Sequence, residues 1–327
     1  MTKYIIRRII QIIPVIIGIS ILVFLLMHLA PGDPVHLLLG EEASPEDYER
    51  IYALYGFDRP LAVQYLDWAS NAVRGDFGRS IRMGQPVSTL IYHRMGATLE
   101  LAFFSVFIAV IIGIPLGVLA AVKRQSIVDF GTMVGALIGV SMPSFWLGLV
   151  LLAYVALRVD WLPMFGRGES LVNGFYLLIT TFDGVPLWNA IRYILLPGLS
   201  LGVIMMGIVT RLTRSSLLES LGMDYIRTAR SKGLNERVVV YKHALRNAML
   251  PVITIVGIQL GVRFGGAVIT ETVFAWPGVG RLIVNAISQR DFPIVQGGVL
   301  MLAIVFTVMN LLVDLSYAIL DPRIRYD

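Results

Sequence analysis

Six apolar runs alternate with polar stretches along the chain, and their lengths predict membrane-crossing helices. They are Ile9–Ala30, Leu99–Val122, Phe130–Leu157, a shorter run from Ile194 to Val209 or slightly beyond, Leu250–Val273 and Val299–Leu320. A helix needs about 20 apolar residues to cross the hydrocarbon layer. The first run is interrupted only by Gln11, Pro14, Ser20 and His28. It exceeds the h-region of a cleaved signal peptide, and the HLAPGDP that follows lacks a small-x-small cleavage pattern. It is therefore expected to remain as a first span. The third run contains SMPSFWLG, Ser141 to Gly148. Pro143 removes a backbone donor there and should bend the helix, with Ser141 and Ser144 placed to satisfy freed carbonyls.

The polar stretches differ from one another. Residues 31–96 are polar and rather acidic. Ser44-Pro45-Glu46-Asp47 reads as a helix start, with a serine cap, proline in the first turn and acids toward the positive end of the helix dipole. Gly56 can end that helix. A second helix should begin near Pro60 and run to Gly75, and Val87–Arg94 should form a short amphipathic third. Arg158–Asn189 and Glu271–Asp291 read as external loops, with Trp161 and Trp188 at interfacial positions. The expected organisation is a tail and first span at 1–30, an external helical segment at 31–97, and a five-helix core at 98–327.

Composition supports this picture. The 327 residues are 56% hydrophobic and 15% charged, with a net charge of +5. Soluble domains carry about 25% charged residues. The fold class expected is all-α integral membrane protein with six transmembrane helices. Fifteen of the 27 Lys and Arg fall in the segments that an N-in, C-in topology puts inside: Lys3, Arg7, Arg8, Lys123, Arg124, Arg211, Arg214, Arg227, Arg230, Lys232, Arg237, Lys242, Arg246, Arg323 and Arg325. That asymmetry obeys the positive-inside rule. The basic excess points to anionic lipid rather than nucleic acid, because no basic run is interleaved with aromatics.

Catalytic chemistry finds no foothold. The chain has no cysteine, no phosphate-binding G-x-x-x-x-G-K-[ST] loop and no G-x-S-x-G, and its four histidines are scattered. No cofactor or metal is expected on this chain. Uphill transport would need an ion gradient or an energy-supplying partner. Ionisable residues near or within spans are Glu100, Arg263, Glu271 and Asp314. Glu100 and Glu271 fall at span ends, where headgroups and water would solvate them. Arg263 and Asp314 lie inside spans, as structural contacts, pore-lining or gating groups, or an ion relay.

Between the fourth and fifth runs lies the basic island MDYIRTARSKGLNERVVVYKHALRNAMLP, Met223 to Pro251. Asp224 can cap a helix running to Lys232, and Gly233 suits a left-handed terminator. Tyr225, Ile226 and Ala229 form its apolar face. Asn235 can cap a second helix. An interfacial helix held by anionic lipid and a docking helix for a cytoplasmic partner both fit. The glycine hinge favours docking.

YIRTARSKGL followed by HALRNAMLPV resembles the cytoplasmic loop of permease subunits in bacterial ATP-binding-cassette (ABC) importers, in the dipeptide/oligopeptide/nickel branch. The APGDP after the first run, ETVFAWPGVGRL at Glu271–Leu282 and NLLVDLSYAILDPRIR at Asn310–Arg325 are similar to that family in the same order. Where the general importer motif has Glu-Ala-Ala, this chain has Arg227-Thr228-Ala229, so only Ala229 and Gly233 match directly. The resemblance implies a type I importer permease fold in the bacterial inner membrane and no catalysis by this chain. It also implies four kinds of partner: a second homologous permease, two ATPase subunits using ATP and Mg, an extracytoplasmic solute-binding protein, and the bilayer.

By position, Asp224, Tyr225, Ile226, Ala229, Arg230 and Gly233, within a loop at 211–249, would couple to the ATPases. Ser141, Pro143, Ser144, Phe145, Arg263, Phe264 and Gly265 would form the pathway or gate. Glu271, Trp276, Pro277 and Gly278 would shape an external loop. Di- or oligopeptides lead as substrate. Nickel, glutathione and oligosaccharides lie within the family's range, and an ion-coupled secondary transporter is the competing class.

Overall fold

The structure, a computed structural model, describes residues 2–29, 44–54 and 58–320. The APGDP stretch, Gly56 and residues 321–327 lie outside the described residues, as do the side chains of Phe264 and Asp314. Helices account for every regular element among the described residues, with one isolated bridge, Arg79 to Pro86. Among the described residues, four stretches are long and apolar enough to cross a membrane: Val87–Val122, Val185–Leu221, Glu236–Arg263 and Phe292–Val313. A fifth arises if the pair Ile127–Ser141 and Ser144–Ala156, bent by 105°, is one span. The apolar part of the first helix, Ile10–Leu25, is shorter. The chain divides into two compact units, 1–98 with 277–327, and 99–276.

In the first unit, α1 (Thr2–Leu29) packs against the terminal helix α13 (Phe292–Leu320). The short helix α2 (Pro45–Leu54) starts as its serine cap dictates, and α3 (Leu61–Val73) starts directly after Pro60. Ser44 Oγ accepts from the Asp47 amide at 3.1 Å and Gly75 takes φ +84° just past α3. Tyr65 of α3 shares a 2.9 Å hydrogen bond with Ser20 of α1. The aromatic ring of Phe24 meets Tyr65 edge-on at 5.5 Å. The expected short helix at Val87–Arg94 is instead the opening of α4 (Val87–Val122), because Leu90, Ile91 and Ala97 carry its buried face directly into the apolar run.

A further helix, α12 (Val279–Gln289), occupies what had read as an external loop. Val279, Leu282, Ile283 and Ala286 recur at the i, i+3, i+4, i+7 spacing of one helical face, and all four are buried. They join Phe77, Val87, Leu90, Ile91, Ile294 and Leu300 in one core. Asp291, wholly buried just past α12, accepts hydrogen bonds from Ser80 Oγ at 2.5 Å and from the amides of Ile81 and Arg82. It pins the 80–85 turn.

The second unit is built around α8 (Val185–Leu221), which is far more buried than Glu236–Arg263. Around it lie α5 (Ile127–Ser141), α6 (Ser144–Leu151, continuing as a π-helical turn to Ala156), α7 (Leu171–Thr181) and α11 (Leu245–Val273). Helix α7 also falls within a predicted loop. Ser170 caps it, accepting from the Asn173 amide at 3.0 Å. Close approach to α8 depends on absent side chains. A Cβ at Gly207 would stand 2.5 Å from the Ala136 carbonyl, and one at Gly202 would stand 2.6 Å from that of Ser105. Small residues permit such backbone contact between membrane helices, where dispersion replaces the hydrophobic effect as the cohesive force.

Candidate coupling and pathway sites

The basic island folds as two capped pieces around Gly233. Helix α9 (Asp224–Ser231) begins one residue earlier than expected: Met223 occupies the cap, without a side-chain bond, and Asp224 takes the first turn, facing the helix dipole. The C-terminus closes as a Schellman motif. The Leu234 amide donates to the Ala229 carbonyl at 3.4 Å and the Gly233 amide to that of Arg230 at 2.9 Å. Gly233 sits at φ +74°, as its predicted role requires. Asn235 then caps α10 (Glu236–Val238), its side chain accepting from the Arg237 amide at 2.9 Å.

The predicted apolar face divides. Ile226 and Ala229 point inward, packed among Val118, Leu217, Val239, Val240 and Ala244. They anchor α9 to its own chain. Tyr225 stays exposed, together with Asp224, Arg227, Thr228, Ser231 and Lys232. Arg230 bridges the hinge. Its Nε and Nη2 donate to the two carboxylate oxygens of Glu236 at 3.1 and 2.6 Å. This hydrogen bond pushes the Arg230 guanidinium above its ordinary pKa. Arg230 thus ties α9 to α10 across Gly233, while Arg227 and Lys232 carry the outward charge.

The SMPSFWLG bend is sharper than a proline kink. Met142 and Pro143 leave the helical region at ψ 126° and 135°, which separates α5 from α6. Ser141 Oγ donates to the Leu137 carbonyl at 2.9 Å. Ser144 opens α6, Phe145 is exposed, and a Cβ at Gly148 would stand 3.0 Å from the Phe274 ring. Arg263 lies against α8, where its Nη1 donates to the Leu201 carbonyl at 2.8 Å. Gly265 is open. A groove of about 350 Å³ lies between α4, α5 and α8, walled by Gly131, Gly135 and Gly139 of one helix with Leu116, Met206 and Thr210.

The external set is revised most. Glu271 lies inside α11 and is wholly buried, so neither water nor headgroups solvate it. Trp276 is also buried, its amide donating to the Glu271 carbonyl at 2.8 Å and its ring facing the Arg167 guanidinium at 5.8 Å. Pro277 is exposed, and Gly278 caps α12. Glu100 is likewise enclosed within α4. Its carboxylate accepts from Arg167 Nε at 2.9 Å, from Arg167 Nη2 and from the Leu171 amide.

A further ion pair had also gone unread. Asp129 in the first turn of α5 pairs with Arg214 of α8 and also accepts from the Gln125 amide at 3.0 Å. Ser126-x-x-Asp129 is a local capping pattern that marks the helix start and gives no sign of the distant partner.

The comparisons agree along the whole length. Residues 1–102 match the family described as "Binding-prot-dependent transport system membrane comp, N-term", and residues 113–326 match "Binding-protein-dependent transport system inner membrane component". The chain belongs to this inner membrane component family. It is 44% identical over 333 residues to a protein named dipeptide transport system permease of Alkalihalophilus pseudofirmus, with 100% of both chains covered. It is 44% identical over 337 residues to one so named from Escherichia coli K12, covering 100% of this chain and 99% of the other. An oligopeptide transport system permease of Bacillus subtilis is 43% identical over 327 residues, with 100% of both covered. The chain is a multi-pass inner membrane permease subunit, and not an enzyme.

Proposed function

We propose that this permease forms half of the translocation pathway of an ATP-driven importer of di- or oligopeptides. The observation that carries this reading is end-to-end identity of 43–44% with permeases named for dipeptide and oligopeptide transport. A second, homologous permease completes the pathway. An extracytoplasmic binding protein delivers the peptide, and two partner ATPases consume Mg-ATP. This chain holds no nucleotide itself. Six spans, N-in and C-in, place the 211–249 loop in the cytoplasm beside the ATPases.

Helix α9 is the coupling element. Ile226 and Ala229 root it in the chain's own core, leaving Tyr225, Arg227 and Lys232 for the partner. Gly233 and the Arg230–Glu236 pair transmit its movement to α10 and onward into α11. Closure of the ATPase dimer then tilts the spans and exchanges the open side.

Reconstitution tests this reading. Proteoliposomes holding this chain, the second permease and both ATPases should accumulate dipeptide only with internal ATP and external binding protein. Uptake driven by an ion gradient with no ATPase present would sink it. Uptake of nickel or an oligosaccharide, with no peptide competition, would sink the peptide assignment alone.

A further inference from the structure

We propose that Arg263 is a carboxylate-binding residue of the permeation route, holding the C-terminal carboxylate of a short peptide in transit. The proposal rests on the peptide-importer reading above. Arg263 is 6% exposed and lies within α11. Ten residues, about 15 Å of helix, separate it from the C-terminal end at Val273. Its Nη1 has the Leu201 carbonyl, but Nε is enclosed with no partner. It joins no ion pair among the described residues.

A guanidinium does not deprotonate in proteins and carries five donors. Enclosed in low dielectric without a counter-charge it is strongly unfavourable, and intramembrane charges mark functional paths. Its planar fork fits a carboxylate through two parallel bonds. A second unpaired group shares this side of the helix. Thr270 is 1% exposed, and its Oγ1 has no partner. It stands seven residues further on, two turns and about 10 Å along the axis. About three extended residues span that distance. A di- or tripeptide supplies what this seam lacks: a carboxylate for Arg263 and a backbone carbonyl for the Thr270 hydroxyl.

The test uses the assembled permease pair with its ATPases in nanodiscs, without binding protein, so that the delivery protein's own selectivity does not intervene. Binding of Ala-Phe is compared with binding of Ala-Phe amide. The free acid should bind on the order of ten- to a hundredfold tighter. Arg263→Gln should bring that ratio near one, and Arg263→Lys should keep part of it. ATPase stimulation by loaded binding protein reports that each complex is intact. A wild-type complex that does not distinguish acid from amide overturns the proposal, whatever the variants do. So does Arg263→Gln with the ratio preserved. Loss of the second permease from the Arg263→Gln complex also overturns it, since Arg263 would then pair with that subunit's carboxylate. Failure of the wild type to import any peptide with ATP rejects the importer reading instead, while the binding ratio is read independently.

Discussion

Arg214 of α8 grips Asp129 of α5 with both prongs, Nε on one carboxylate oxygen at 2.5 Å and Nη2 on the other at 2.8 Å. The two residues are 85 positions apart, and the Asp129 side chain is 7% exposed. This fixes the start of the broken pair α5–α6 to the central helix of its unit. Removing one partner leaves the other charge enclosed, so Asp129→Asn should destabilise by about 3 kcal/mol. Thermal unfolding in detergent measures it. The double variant Asp129→Asn/Arg214→Gln should cost less than the sum of the single changes, and simple additivity would mean that the pair contributes nothing.

Helix contact across α8 is equally testable. Gly207→Val places side-chain carbon where the Ala136 carbonyl and the Val140 side chain already lie, at 2.5 and 2.8 Å. The expected outcome is separation of α5 from α8, read as early unfolding and a polydisperse size-exclusion profile. Gly131→Ala makes a control, because a Cβ there meets nothing within 4 Å. Equal behaviour of the two variants would show that close packing at Gly207 does not matter.

The apolar runs made the membrane helices legible, since hydrocarbon thickness sets a length that any span must meet. The caps at Ser44 and Asn235 and the left-handed Gly233 were legible too, being local backbone requirements. What escaped was set by distance or by length. The pairs Asp129–Arg214 and Glu100–Arg167 join residues 85 and 67 positions apart, and nothing local announces them. Helix α12 is only 11 residues long and follows Trp276-Pro277-Gly278, whose turn chemistry masked the buried face of Val279, Leu282, Ile283 and Ala286. Glu271 was read as solvated because it lies at the end of the fifth run, whereas packing encloses it wholly within α11.

Asp291 supplies a prediction in the first unit. Its carboxylate holds Ser80 Oγ and two successive amides of the 80–85 turn, and Ser80 Oγ in turn accepts from the Met83 amide at 2.8 Å. Asp291→Ala leaves these donors without an acceptor, at about 1–3 kcal/mol for each that stays buried. The turn should open, and trypsin should cleave after Arg79 or Arg82 at least several-fold faster than in the wild type. Unchanged cleavage would show that the turn is held by its own backbone bonds.

Gly233 separates two explanations of the coupling loop. At φ +74° an L-residue is strained, yet a Cβ there meets nothing within 4 Å, so size is not the obstacle. Asn tolerates the left-handed region and a β-branched residue does not. Gly233→Asn should therefore keep most ATP-driven uptake. Gly233→Val should lose the Schellman closure, swing α9 away from α10 and strain the Arg230–Glu236 pair that spans the hinge. The expected reading is uptake reduced at least tenfold while this chain still assembles in the membrane and its partner ATPases still hydrolyse ATP at their basal rate. Both variants transporting like the wild type would mean that the hinge conformation carries no coupling. Equal loss in both would point to the glycine's small size against the partner surface rather than to its backbone.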